Sequence, residues 1–312
     1  MLTINALSLS QDLLLSPYVV SGTLLSIHKD YLNISLPAGL ATLVRRGKPL
    51  MPFGIEVEFS EDWSFLQVDN KQSVRIANHQ IVVEDCLTVS GLADCKRYSC
   101  APVREQLQDN AEILRRLVYL HQFCQRSPGA GGIQVYLGNY LLTEGGLQRL
   151  DEVGAVEKRL RRRFEALVTG VLRADEFLVV EGVYGLLGVG PGLTPSGDDF
   201  LVGFLAGLMN SRRENCRSSI DTIARCLTQD AGLFTTRFSA EYIKYAAKGL
   251  YHQYVTKLID AFKAGSCDEL ANAARQLITM GHYSGTDLLL GFAYGGMTAL
   301  QSGRKDVCNE DS

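Results

Sequence analysis

The chain has 312 residues, 46% of them apolar, with 31 Lys and Arg against 34 Asp and Glu for a formal net charge of −3. That length holds two modest domains or one large one with a sizeable core, and the slightly acidic balance, with no aromatic-studded basic strand, argues against a nucleic-acid partner. No apolar run approaches the roughly 20 residues needed to span a bilayer, so no membrane partner is expected; the longest candidate, Phe177 to Leu193, is interrupted by Glu181, Pro191 and several glycines.

The N-terminal MLTINALSLSQDLLL lacks a basic region ahead of its apolar residues, so no signal peptide is expected. From residue 17 to about 100 the chain reads as β-rich. GTLLSIHKDYLNISL, ATLV, FGIEVEF, SFLQV, QSVRIANHQIVVED and LTVSGL are short alternating or β-branched runs, punctuated by Gly, Pro, Asn and Asp. Several strands with no intervening helix predict a small barrel or sandwich. After Pro102, Ile113, Leu114, Leu117, Leu120 and Cys124 share one helical stripe, and SPGAGG at 127–132 breaks it. The stretch 133–156 is mixed. Helices are predicted at 157–173, 176–187, 198–210, 218–230, 236–262, 267–280 and 286–301, before a polar tail from Arg304. The expected fold class is therefore α+β: a β-rich N-terminal domain over 1–100, a bridge over 101–156, a mainly α-helical domain over 157–303 and the tail at 304–312.

Within the first of these helices, KRLRRR (158–163) suggests a lipid or nucleic-acid patch. Leu160, Phe164, Leu167, Val168 and Val171 fall at helical spacing, which makes the arginines the wet face of an amphipathic helix instead. Eight cysteines, at 86, 95, 100, 124, 216, 226, 267 and 308, include no Cys-x-x-Cys pair and no clustered histidine. This argues against a zinc site or a disulfide framework and for reduced thiols in the cytoplasm. His28, His79, His121 and His252 have no chemical context.

The richest stretch is GPGLTPSGDDFLVGFLAGL, Gly190 to Leu208. Gly192 and Gly197 have the outer spacing of a phosphate-binding P-loop, but Asp198 and Asp199 stand where Lys and Ser or Thr are needed. A Gly-x-Gly-x-x-Gly fingerprint fails too, because its third glycine falls on Leu193 or Pro195. What remains is a sharp turn feeding a helix. Gly190 and Gly192 permit positive φ, and either Thr194 or Ser196 can be the N-cap, the first with Pro195 at N1, the second with Asp199 imitating a capping box. Free N–H groups at such an end bind anions, and Gly197 lets a ligand approach. Adjacent helical residues diverge by about 100°, so Asp198 and Asp199 face different ways. A pocket-facing carboxylate can orient a donor, act as a base or help hold Mg²⁺; an acidic first turn also simply complements the helix dipole.

The motif returns. Aligning Ser196–Leu208 with Ser284–Gly296 matches seven of thirteen positions without a gap: Ser284, Gly285, Asp287, Leu289, Gly291, Phe292 and Gly295. Gly203 and Gly207, like Gly291 and Gly295, lie one helical turn apart, a spacing that lets two helices approach closely. The two helices are expected to pack about a local pseudo-twofold, with their N-termini lining one pocket. Thr235, Thr236, Arg237 and Ser239 form a third polar cluster: Thr236 or Thr235 is a natural N-cap, and Arg237 can grip a carboxylate or phosphate with two hydrogen bonds. His282, just before the second turn, can donate to an anion or move a proton.

At these residues the sequence resembles a bacterial family, long catalogued as a domain of unknown function, now named as the AllH-type subunit of oxamate carbamoyltransferase. The resemblance is carried by Gly190-Pro-Gly-Leu-Thr-Pro-Ser-Gly-Asp-Asp199 with Gly203, by Thr-Thr-x-x-Ser at 235–239 and by Gly-His-x-Ser-Gly-x-Asp at 281–287. It runs from the β-rich region to about residue 300. It implies one of three kinds of subunit in a complex that moves a carbamoyl group between oxamate and phosphate in allantoin and purine breakdown. The partners would be the other subunits and a small anionic substrate such as oxamate, oxalurate or carbamoyl phosphate. Asp198, Asp199, Asp287 and His282 are the candidates for chemistry. Gly190, Gly192, Thr194, Ser196, Gly197, Thr235, Thr236, Arg237, Ser239, Ser284 and Gly285 are the candidates for binding. No cofactor is demanded, Mg²⁺ being the one candidate. Two other readings stay open: a non-catalytic anion-binding or assembly subunit, and a Mg²⁺-assisted enzyme acting on phosphate esters.

Overall fold

The computed structural model describes residues 1–13, 18–66, 72–102, 107, 109–127, 131–137, 140–143, 146–149, 155–211 and 213–302. The chain divides into two compact units, Met1–Ala101 with Leu250–Thr256, and Pro102–Gly249 with Lys257–Ser312.

The first unit is an eight-stranded β-barrel, one of the two architectures expected. Its strands are β1 (Leu2–Ser10), β2 (Val20–Ile27), β3 (Tyr31–Leu36), β4 (Gly39–Arg45), β5 (Gly54–Val57), β6 (Ser73–Ala77), β7 (Gln80–Val83) and β8 (Leu87–Ser90). They pair in the order β5-β4-β3-β2-β6-β7-β8-β1, and β1 closes the ring on β5. Closure uses both halves of β1. Leu2–Asn5 runs parallel to β8, and Ala6–Leu9 runs antiparallel to β5 across an irregularity between Ala6 and Ser8. Such a bulge bends a strand between two neighbours. A ninth strand, β9 (Lys96–Tyr98), lies parallel to Ser8–Ser10. Leu24, Leu32, Ile34, Leu43, Ile55, Val74, Ile81, Val83, Leu87 and Val89 are buried; an eight-stranded barrel is just wide enough for its side chains to fill it. In QSVRIANHQIVVED the two strands meet at Asn78 and His79, both at positive φ, as a two-residue hairpin turn requires.

Two expectations change here. Leu2–Ser10 forms β1, although the β-rich region was expected from residue 17. SFLQV does not begin as a strand: Trp63–Phe65 is a 3₁₀ turn whose start is capped by Asp62, and residues 67 and 68 lie outside the described residues. The returning segment joins this unit through backbone bonds, Tyr251 N–H to Cys100 O and Gln253 N–H to Leu50 O.

The second unit is mainly helical. It holds α1 (Asn110–Arg126), α2 (Gln134–Leu137), the hairpin β10 (Tyr140–Thr143) and β11 (Gly146–Arg149), α3 (Ala155–Arg173), α4 (Glu176–Leu186), α5 (Ser196–Asn210), α6 (Arg217–Gln229), α7 (Ala231–Phe234), α8 (Arg237–Ala246), α9 (Gln253–Ala264, whose first four residues are counted with the first unit), α10 (Cys267–Ile278) and α11 (Ser284–Ser302). The helix expected over 236–262 is two, α8 and α9, because Gly249 turns the chain at φ +78°. In α3, Arg161 departs from the wet face assigned to it: it is buried, donates from Nε to Tyr136 O and lies over the Tyr140 ring. The helix tolerates it because a carbonyl and an aromatic face satisfy the guanidinium.

At the centre lie α5 and α11. All but one residue of α5 is buried, as is Gly285–Leu300 of α11, the behaviour of helices enclosed on every side. Phe200 and Phe204 of α5, Tyr294 of α11 and Phe164 of α3 form one aromatic cluster with ring centroids 5.0–6.3 Å apart.

Candidate functional site

The two related helices meet, as their glycines predict. A Cβ on Gly203 would fall 2.1 Å from Leu288 O, and one on Gly291 would fall 2.2 Å from Phe200 O. One turn on, Gly207 faces Phe292 O at 2.3 Å and Gly295 faces Phe204 O at 2.0 Å. Leu288 is the aligned counterpart of Phe200, and Phe292 that of Phe204, so each contact has its mirror across a local pseudo-twofold. Only hydrogen fits at these four positions.

This packing brings the two N-terminal turns together. Thr194 Oγ1 and Ser284 Oγ lie 3.1 Å apart. Ser284 and Thr194 hydrogen-bond to the Asp199 carboxyl, and Ser196 hydrogen-bonds to the Asp287 carboxyl. Each serine thus serves the aspartate of the other turn. Asp199 and Asp287 are 1% and 0% exposed, and each keeps one buried oxygen, Oδ2, with no hydrogen-bond partner. Burial raises the Asp199 carboxyl well above its ordinary range, and the neighbouring Asp287 charge raises it further. Burial also raises Asp287, to about 7, against the lowering effect of its hydrogen bonds.

Asp198 faces the other way, as adjacent helical residues must. Its Oδ1 accepts from Gly188 N–H at 2.7 Å, and its Oδ2 accepts from the hydroxyls of Thr235 and of Ser239, the latter at 2.5 Å. Burial raises this carboxyl too, with the three donors opposing. Thr236 is the N-cap of α8: its Oγ1 accepts from Ser239 N–H at 3.0 Å and donates to Leu193 O. All three polar stretches, 190–199, 235–239 and 281–287, therefore belong to one hydrogen-bonded network.

Two details differ from expectation. Neither Thr194 nor Ser196 caps α5; Pro195 occupies the N-cap position with no side-chain bond. The turn amides expected to face a ligand are used within the chain. Gly197 N–H donates to Val189 O at 2.8 Å, and Gly285 N–H to Met280 O at 3.1 Å. A Cβ at either glycine would fall 1.9 Å from a carbonyl, of Leu186 or of Leu277, each near the end of the preceding helix. These glycines admit the neighbouring chain where an approaching ligand was expected.

The accessible part of the network is its rim. Gly190 and Gly192, both at positive φ, are exposed with Pro191, Arg237, Gly281 and His282, while Thr194, Thr235, Thr236 and Ser284 are half-buried. The His282 ring packs edge-on against Tyr283. His121 and His252, buried and pushed down to about 4, are neutral. Among the described residues no group of three or more His, Cys, Asp or Glu side chains gathers as a metal site. A cavity of about 310 Å³ lies elsewhere in this unit, between α1 and α10, lined by Tyr119, Phe123, Arg126, Arg275 and Ile278 among others.

Sequence reasoning missed the backbone donors to these carboxyls, Gly188 on Asp198 and Ile133 and Gln134 on Asp287. Ile133 N–H donates to Asp287 Oδ1 at 2.9 Å, from a stretch in which only the SPGAGG break stood out; a glycine pair beside a helix break was the available signal.

A family model described as oxamate carbamoyltransferase subunit AllH matches residues 186–296, and one described as the AllH family N-terminal domain matches residues 5–96. The chain belongs to the AllH family. The AllH match contains all three polar stretches and both glycine ladders, and the N-terminal match covers nearly all of the barrel. By its name the family supplies a subunit of a carbamoyltransferase, which implies other subunits. No solved structure matches the chain. Among the described residues no helix is long and apolar enough to cross a membrane.

Proposed function

We propose that this chain is the subunit of oxamate carbamoyltransferase that presents the substrate face, made by the rim of 190–194, 235–237 and 281–284. The reading is supported chiefly by the convergence of three sequence-distant polar stretches on one network, joined at the Thr194–Ser284 contact. Hydroxyls, an arginine and a histidine on such a rim suit small anions: oxamate, oxalurate, phosphate and carbamoyl phosphate. In the transfer, a phosphate oxygen attacks the carbamoyl carbon of oxalurate, the carbon–nitrogen bond breaks, and the departing oxamate nitrogen takes a proton. Arg237 holds the carboxylate or phosphate by paired hydrogen bonds, and His282 supplies the proton. The three aspartates lie beneath the rim and fix its shape, so the acids first considered for chemistry become positioning groups. The reaction belongs to allantoin and purine breakdown in the cytoplasm, where the cysteines stay reduced.

The test is carbamoyl phosphate formation from oxalurate and phosphate by the complete assembly and by the assembly lacking this chain. Arg237→Ala and His282→Ala are expected to lower kcat/KM by about 100-fold or more, the usual scale for a lost charge clamp or general acid. Full activity in both variants would make the chain an accessory subunit.

A further inference from the structure

Residues 131–134 press onto the start of α11 at several points. A Cβ on Gly131 would fall 2.0 Å from the Tyr283 ring. Gly132, at φ +64°, leaves room for the Asp287 carboxyl, both of whose oxygens would lie 2.5 Å from a Cβ there. Ile133 N–H donates to Asp287 Oδ1 at 2.9 Å, Gln134 N–H also acts on that carboxyl, and the Ile133 side chain is fully buried. Gln134 Nε2 then donates to Cys124 O at 3.2 Å, and Cys124 Sγ donates to Thr286 O at 3.6 Å. Beyond this the chain turns into α2, where Leu137 O lies 3.0 Å from the Tyr294 hydroxyl of α11.

Asp287 is wholly buried, so in this arrangement it cannot touch a substrate. Its direct donors are two backbone amides from a segment 154 residues away and the hydroxyl of Ser196. Either glycine replaced by a larger residue would push the segment off the turn. We infer that residues 131–134 are a latch, fastened by Asp287, that sets the 281–284 turn and so places Ser284 against Thr194. Gly132 and Asp287 are then positioning residues for the rim.

The functional arm of this inference rests on the proposed substrate face; the structural arm does not. Hydrogen exchange on the full chain reads the latch, and carbamoyl transfer by the complete assembly reads its consequence. Asp287→Ala removes the acceptor and Gly132→Ala removes the space. Both are expected to speed exchange at Ile133 and Gln134 by about tenfold, the equivalent of one lost hydrogen bond, and to lower kcat/KM by about tenfold. Asp287→Asn keeps an acceptor oxygen for Ile133 N–H and is expected to recover protection and most of the activity. Asp287→Asn as inactive as Asp287→Ala, with protection intact, would mean that the carboxyl acts chemically and would overturn the inference. So would unchanged exchange at 133–134 in Asp287→Ala and Gly132→Ala. Should Asp287→Ala fail to fold, Gly132→Ala and Asp287→Asn still decide it. A wild-type assembly with no transferase activity would sink the proposed function and leave the exchange result standing.

Discussion

At the first turn, Ser196–Asp199, the outward anchor is Asp198, which gathers Gly188, Thr235 and Ser239. At the second, Ser284–Asp287, the matching position is Thr286, and the anchor is Asp287, one residue later, which gathers Ile133 and Gln134. The counterpart of Asp287 in the first turn is Asp199, served by hydroxyls of both turns, Thr194 and Ser284. The parts that stayed alike are those that sterics dictates: a turn glycine against a carbonyl, and a glycine ladder between the helices. The parts that diverged are attachments to the rest of the fold. A duplicated motif thus keeps its internal packing strictly while each copy is tied to a different neighbour, and Asp198, Asp199 and Asp287 are all buried.

The strongest way to break this symmetry is to fill the ladder. In Gly295→Ala the new methyl meets Phe204 O at 2.0 Å, a backbone atom inside a buried helix. A loss of roughly 4 kcal/mol or complete failure to fold is expected, at the upper end of the range for single substitutions. Gly232→Ala, with nothing within 4 Å of its Cβ, is the control and is expected to change stability by no more than ~0.5 kcal/mol. Urea unfolding of both checks the contrast; equal midpoints would mean the helices do not pack as described.

A second effect separates the turns by their acids. Asp199 and Asp287 both have carboxyls raised above the ordinary value of 3.8, Asp287 to about 7. A raised acid favours the folded state while neutral. Its contribution is complete below the unfolded value near 3.8 and is lost as pH rises through about 7. Folding stability is therefore expected to fall between pH 4 and 8, by roughly 4 kcal/mol for Asp287 at most, since each tenfold change in proton affinity is worth about 1.4 kcal/mol. Asp287→Asn should flatten that slope, and Asp199→Asn should flatten it too, the two effects being coupled because the Asp287 charge acts on Asp199. Urea midpoints at pH 5 and pH 8 with unchanged slopes in both variants would remove the two acids as its source.

Much of the molecule is legible in sequence because periodicity reports burial. The helical stripe of α1 and the paired glycines at 203, 207, 291 and 295 each point to their contacts, and the strand runs point to a barrel or sandwich. What escapes is what depends on partners far along the chain. β1 does not stand out because its first half joins a parallel neighbour and its second an antiparallel one, across an irregularity. Arg161 reads as solvated because nothing local announces the Tyr136 carbonyl that receives it. The turn glycines read as space for a ligand, since a sequence does not show that Leu186 and Leu277 carbonyls fill it. Gly132 and Ile133 show only as part of a glycine-marked helix break for the same reason: their partner, Asp287, lies 154 residues from Ile133.

The smallest effect is at the seam itself. Thr194 and Ser284 are the side chains whose hydroxyls meet across the two turns, 3.1 Å apart and half-buried. Thr194→Val keeps the shape and removes the hydroxyl; Ser284→Ala removes its partner, and each also takes a hydroxyl from Asp199. Each single change is expected to cost about 1 kcal/mol, the net worth of one hydrogen bond in a folded protein. If the turns support each other, the double variant loses less than the sum, by about 0.5 kcal/mol or more, because the second change removes a bond the first has already broken. Strict additivity would mean that each hydroxyl serves its own turn alone, and the seam would then be a contact without energetic consequence. The cycle is best run at pH 5. There Asp287 is neutral, and the repulsion between the two acids does not contribute to the coupling.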